Sequence, residues 1–292
     1  ISRTTFRCLS LQCRLAGRLE GEWFFRDPPE PMTIGIAFVF EVTTFPGMRA
    51  ISVILSLIGA HAASLHAGVQ PPEGFTALYN GKDLSGWWGA STENPEKYLA
   101  LPPEELAAKM KASLEDINEH WKAQGDELHN DGHGLFLTTE QLYGDFELLV
   151  DYKTVPKADS GIYLRGIPQV QIWDSTEKAK FKLGADKGSG GLWNNSKGAA
   201  GKDPIVLADR PFGEWNHLRI IMVSEHVTVF LNGKLVVDHA RMENYFNRKG
   251  RVPEKGPIQL QTHGGEITWR NIFIREIGAG EAARIMAEGG VE

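Results

Sequence analysis

Ser160-Gly-Ile-Tyr-Leu-Arg-Gly-Ile-Pro-Gln-Val-Gln-Ile-Trp-Asp174 is the stretch whose reading decides the fold. Apolar residues alternate with polar or aromatic ones at a period of two, so it reads as two short strands joined through Gly166 to Pro168. Ile162, Leu164, Val170 and Ile172 point one way, into a core, while Tyr163, Arg165, Gln169, Gln171 and Trp173 point the other. A strand face that only meets water usually carries Lys, Glu and Thr. Planar hydrogen-bonding groups beside aromatic rings instead suit a sugar, whose hydroxyls need partners and whose ring faces stack, so this face is read as a binding face.

Working outward, strands dominate from Glu127 onward, punctuated by turn residues at the short spacing of an all-β sandwich or barrel. Asn130 to Gly134 is a turn, Leu135 to Thr139 a strand, and Asp145 to Lys153 a longer one. Trp215 to Val223 precedes a hairpin from His226 to Asp238 whose turn is Asn232-Gly233, and Gly256 to Gly265 and Ile267 to Glu276 supply the last strands. One helix interrupts this pattern. Pro102-Pro103-Glu104-Glu105 opens it, and Leu106, Met110, Leu114, Ile117 and Trp121 recur at helical spacing, with Trp121 the expected anchor of an insertion across one edge of the sandwich. Residues 175–209 read as a long loop, and the embedded Trp193 favours a functional one.

Parity extends the polar face. If Phe146, Leu148 and Val150 face the core, Glu147 and Asp151 lie opposite; if Ile258 and Leu260 face it, Gln259, Gln261 and His263 do. Four strands would then offer one face with a carboxylate, an arginine, several amides and a histidine. The competing reading is the plain polar outer side of a sandwich sheet.

Other chemistries lack their residues. The Gly188 to Gly191 run is followed by no Lys-Ser/Thr and opens no phosphate-binding helix; no Gly-x-Ser-x-Gly elbow occurs; the histidines show no metal-ligand spacing. No strand carries the paired carboxylates of an ordinary glycosidase. A formal charge of −6, with no basic stripe, argues against a nucleic-acid partner.

The beginning of the chain differs from the rest. Met48-Arg49, an apolar run from Ala50 to Ala60 and small residues to Ala67 have the layout of a signal peptide over 48–67, with 1–47 read as an upstream extension foreign to the native protein. A domain over 68–280 follows, and 281–292 is a short tail compatible with helix. The expected location is periplasmic or secreted, without a lipid anchor, because no cysteine follows the apolar run. Cys8 and Cys13 both lie upstream, so the exported domain must stand on its core alone.

Several motifs taken together resemble one family. They are Phe75 to Trp87, Tyr143-Gly-Asp-Phe-Glu-Leu148, Ser160-Gly-Ile-Tyr-Leu-Arg165, Val170-Gln-Ile-Trp-Asp174, Gly213-Glu-Trp-Asn216, Leu231-Asn-Gly233, Gly256-Pro-Ile-Gln-Leu-Gln261, His263-Gly264 and Arg270-Asn-Ile272. In this order, across roughly residues 73–277, they resemble the 3-keto-disaccharide hydrolase domain family. The resemblance implies a concanavalin A-like jelly-roll β-sandwich, here with one inserted helix and long loops, in exported bacterial proteins acting on oxidised glycosides. At one position the chain departs from the pattern: Gln169 stands where the family often has Glu before Val-Gln-Ile.

A 3-keto sugar explains the missing carboxylate pair. The ketone acidifies the C2 hydrogen, so one base can form an enolate and the C1 substituent leaves by elimination, with water adding afterwards. On this reading His263 or Glu147 is the base, Arg165 stabilises the enolate, and Asp174 is a second acid/base group. Gln169, Gln171, Gln259 and Gln261 bind hydroxyls with Tyr163, and Trp173 or Trp193 is the stacking platform. No cofactor is expected, although a divalent ion could replace arginine as electrophile. Nothing binds a dinucleotide, so a separate oxidoreductase would supply the keto group. The alternative is a non-catalytic carbohydrate-binding module of the same fold, which Gln169 favours.

Overall fold

A computed structural model describes residues 70–291; the expected signal peptide and the stretch before it lie outside the described residues. In chain order come β1 (Thr76–Ala77), β2 (Trp87–Ala90), α1 (Pro95–Leu99), α2 (Pro103–His120), β3 (Trp121–Gln124), β4 (Glu127–Asn130), β5 (Phe136–Thr139) and β6 (Phe146–Thr154). They are followed by β7 (Asp159–Leu164), β8 (Ile167–Trp173), β9 (Asn216–Val223), β10 (His226–Leu231), β11 (Lys234–Arg241), β12 (Gln259–Leu260), β13 (Ile267–Glu276) and α3 (Ala279–Glu288).

Every pairing is antiparallel. An eight-stranded sheet runs β11-β10-β9-β6-β13-β4-β3 with β1 added against β13, and a five-stranded sheet runs β2-β5-β12-β7-β8. Their facing sides meet in one core. Phe146, Leu148, Val150, Leu218, Ile220 and Met222 come from the large sheet, and Leu137, Ile162, Val170, Ile172 and Leu260 from the small one. Each such side chain contributes roughly 1.5–3 kcal/mol on burial, which suffices to hold a domain without disulfides. The fold is therefore the expected concanavalin A-like jelly-roll sandwich.

Local differences from the sequence reading have physical causes. α2 buries Ser113 and Ile117 and half-buries Leu106 and Met110, positions spaced four, three and four apart on one stripe; Leu114 lies off that stripe and is 38% exposed. Trp121 is buried but begins β3 rather than closing the helix, and its indole N–H bonds the Leu135 carbonyl at 3.0 Å. The 175–209 segment contains two short 3-10 turns, Lys178–Leu183 and Ala185–Lys187. The expected tail is α3, which packs Ala282 and Ile285 against Ile221 and Val223 on the outer side of the large sheet.

The β7–β8 turn matters most for the site. Its central residues are Arg165 and Gly166, at φ 54° and 73°, the same left-handed pair used by Asn232 and Gly233 in the β10–β11 hairpin. The turn thus sits one residue earlier than the Gly166 to Pro168 reading, and Pro168 lies inside β8. Arg165 is consequently a turn residue, outside the alternation that would have aimed it with Tyr163.

Candidate functional site

The side of the five-stranded sheet facing away from the core is built in rows set by register. One row is Trp88, Thr138, Gln259 and Tyr163, paired across four strands. The next holds Phe136, Gln261, Gly161 and Gln171, where Gln261 donates its backbone N–H to Gly161 at 2.9 Å and Gly161 pairs with Gln171. The last has Asp159 paired with Trp173, while the Asp159 N–H bonds the Gly264 carbonyl at 2.8 Å and so brings His263 alongside.

Polar groups on this floor are buried and mostly joined. Gln169 donates its amide to Gln171, and Gln171 donates in turn to Asp159 Oδ1 at 2.9 Å. Gly161 makes room for that crossing, since a Cβ there would lie 3.1 Å from the Gln169 side-chain amide and 2.9 Å from the Val170 carbonyl. Gln259 donates to Thr138 at 3.0 Å, and Tyr163 shares a 2.8 Å hydrogen bond with Thr92. Burial pushes the Tyr163 phenol up to about 12, so it stays a hydroxyl at any working pH. One group is left over: Gln261 Oε1 is buried without a protein partner among the described residues. An acceptor held this way on a sugar-like floor has a use for a hydroxyl donor.

At the end of the floor Asp159 gathers two basic side chains. Its Oδ2 meets Lys180 Nζ at 2.9 Å and His263 Nδ1 at 3.3 Å, and Lys180 also reaches Glu177 at 3.1 Å. Burial alone would raise the Asp159 carboxyl, but the bonds from His263 and Lys180 outweigh it and hold the group below its ordinary value. The same bond from Asp159 raises the His263 imidazole, against burial and the nearby Lys180. The imidazole is 64% exposed although Asp159 is only 12% so, which leaves a buried carboxylate orienting an accessible base. With Nδ1 committed to Asp159, Nε2 is the nitrogen turned to a ligand. Trp173 and Trp193 meet edge to face at 6.2 Å beside this end.

Three of the proposed catalytic residues stand elsewhere. Glu147 lies on β6 in the large sheet, on the side away from the core, and is bonded by Arg219 at 2.7 Å and by Arg275 at 3.2 Å. The parity reading was sound, but β6 belongs to the other sheet, so Glu147 and Asp151 face the opposite side of the molecule. Asp151 is bonded there by His217 at 2.6 Å and Asn271 at 2.8 Å. Arg165 is 2% exposed and spends its guanidinium on the Gly144 and Pro253 carbonyls and on Asp145 at 2.7 Å. Asp174 caps a turn, accepting from the Thr176 N–H and hydroxyl at 2.7 and 2.6 Å and from the Lys157 N–H at 2.8 Å; burial raises its carboxyl, and these bonds more than reverse that. None of the three has a group free for proton transfer or enolate charge at the floor.

The sequence reading missed Asp159, Lys180 and Thr92. Asp159 was within reach, because extending the alternation of Tyr163 and Gly161 by two residues places it on the same face. Lys180 sits on a 3-10 turn with no periodic signal. No group of three His, Cys, Asp or Glu among the described residues is placed to hold a metal ion, so the divalent ion left open by the sequence gains no ligand set there.

Comparison with known proteins adds a family. A family model described as a 3-keto-alpha-glucoside-1,2-lyase-like domain matches residues 74–275. The chain is 23% identical over 271 residues to a 3-keto-disaccharide hydrolase of Bacteroides thetaiotaomicron, spanning 77% of this chain and 86% of that one. A solved candidate glycosyl hydrolase from Parabacteroides distasonis superposes with a TM-score of 0.51 at 18% identity, covering 72% of this chain and 99% of that one. That last likeness bears on the fold alone.

Proposed function

The chain belongs to the 3-keto-alpha-glucoside-1,2-lyase-like family, and we propose that it cleaves the glycosidic bond of 3-keto-glycosides by elimination followed by hydration. The observation that carries this reading is the buried Asp159 holding the exposed His263 and Lys180 beside a floor of amides. His263 Nε2 takes the C2 proton, and the C2–H electron pair becomes the C2=C3 bond of an enolate whose charge rests on the C3 oxygen. As C3=O re-forms, a C1=C2 double bond forms and the C1–O bond breaks. The imidazolium returns its proton to the departing oxygen, so no second acid is needed in place of Asp174. Water then adds across the double bond, hydroxyl to C1 and hydrogen to C2, for net hydrolysis. Lys180 supplies positive charge beside the base, and Gln171, Gln261 and Tyr163 hold the ring hydroxyls.

Export, expected from the apolar run after Met48-Arg49, and a separate oxidoreductase that installs the ketone belong to the same proposal. A second reading, a carbohydrate-binding module, is favoured by one feature: the floor carries Gln169 where the family often has Glu. Incubating the protein with a 3-keto-glucoside and following aglycone release separates the two. Release that falls about 10²–10⁴-fold in His263→Ala, with substrate binding kept, supports the enzyme; binding with no release from the wild type supports the module.

A further inference from the structure

The two amides beside Asp159 form a relay that runs in one direction only. Gln171 Nε2 is ringed by three acceptors, Asp159 Oδ1 at 2.9 Å and the Ser160 and Ile172 carbonyls at 3.1 and 3.2 Å. Only the NH2 end of an amide fits among them, so the direction of Gln171 is set by its neighbours. Its oxygen then points to Gln169, and the group that meets it there has to donate, as the Gln169 amide does. Both side chains are buried, so neither can turn to bulk water for a substitute partner.

The relay ends on the carboxylate that holds the base. With Asp159 Oδ1 taken by Gln171, Oδ2 is the oxygen left for His263 Nδ1 at 3.3 Å and for Lys180 Nζ at 2.9 Å. Each carboxylate oxygen thus has its own donors, which fixes the plane of the group and with it the direction of the imidazole. The titratable groups around this end of the sheet are Asp159 and Tyr163 on β7, His263 after β12, and Lys180 with Glu177 at the neighbouring 3-10 turn; Tyr163 keeps its proton.

We propose that Gln169 and Gln171 are positioning residues for the base: a one-way relay of amides, entered at Gln169, secures Asp159 Oδ1 and so holds Oδ2 for His263. Position 169 on this account needs a donor that does not ionise, which glutamine supplies. The proposal rests on the reading of His263 as the base, and a spectroscopic readout lets the two fail separately.

The test follows kcat, KM and the His263 midpoint in Gln171→Met, Gln169→Met, the double variant and Gln169→Glu. Gln171→Met strips a donor from Asp159, which makes the carboxylate a stronger partner for imidazolium. The midpoint should therefore rise, both in kcat/KM and in imidazole NMR, and kcat at neutral pH should fall roughly tenfold with KM almost unmoved. Gln169→Met should give a smaller shift of the same sign, and the double variant no more than Gln171→Met alone, because the two act in series. The carboxyl introduced by Gln169→Glu has to keep its proton to donate to Gln171, so its NMR resonance should titrate above the ordinary glutamate range, with kcat dropping as pH rises through that value. This change conserves size, so its titration stands even where a buried methionine unfolds the protein. A raised KM with both midpoints unmoved would make the amides hydroxyl ligands and overturn the proposal, as would losses that add in full or a carboxyl that titrates at its ordinary value. If the wild type releases no aglycone, the proposed reaction fails, and the imidazole and carboxyl titrations still decide: shifts in the stated directions support the relay, and unmoved values reject it.

Discussion

At the residue scale the account turns on His263 and Asp159. Only neutral imidazole removes a proton, and Asp159 raises the His263 pKa, so kcat/KM should climb with pH through a midpoint above that of an ordinary histidine. In Asp159→Asn the raising partner is gone while Lys180 remains, so that midpoint moves to lower pH as kcat falls; an unmoved midpoint would remove His263 from the role of base. The same pairing stabilises the fold below the unfolded histidine pKa, and its contribution is lost as pH rises through the folded one. Arg165 makes the opposite kind of prediction. It is buried on Asp145 and two carbonyls, so Arg165→Ala should cost about 3 kcal/mol, a fall in Tm of roughly 6–12 °C, while the KM of the folded fraction stays put. Single residues were legible where alternation governs them: Tyr163, Gln169, Gln171, Trp173, Gln259 and Gln261 all line the one face. Arg165 was not, because a left-handed turn starting one residue early takes a side chain out of the pleat.

At the element scale, parity told which side of a strand a residue occupies but not which sheet owns the strand. Glu147 alternates correctly with Phe146 and Leu148, yet β6 pairs with β13 and β9 in the large sheet, and such pairings join residues more than sixty apart in sequence. Short-range periodicity carries no information about them. The inserted helix was readable as an element, but its attachment was not. α2 is pinned to β2 by Ser113, whose Oγ accepts the Gly89 N–H at 2.7 Å, and to the residue just before β5 through Asp116, which accepts the Leu135 N–H at 2.6 Å. Ser113→Ala therefore strands a buried N–H and should lower stability by about 1–2 kcal/mol, seen as a Tm lower by a few degrees with the far-ultraviolet spectrum unchanged.

At the scale of the molecule, the strand-rich, turn-punctuated pattern left a sandwich or a barrel open, and the order of the motifs, through the family resemblance, implied the sandwich. What they could not supply is convergence: β12 joins the β7–β8 hairpin only when residues near 160 and near 260 pair, and that pairing places His263 on Asp159. With both cysteines at positions 8 and 13, stability of the sandwich should be indifferent to reductant, and equal Tm values with and without dithiothreitol would show this. The central claim, proton abstraction at C2, is tested most directly by giving the enzyme a 3-keto-glucoside deuterated at C2 and measuring the label in the freshly released keto-sugar, against an enzyme-free control for spontaneous exchange. Elimination and hydration predict that the deuterium is replaced by solvent hydrogen in every molecule cleaved; release of aglycone with the label retained at C2 would contradict the mechanism.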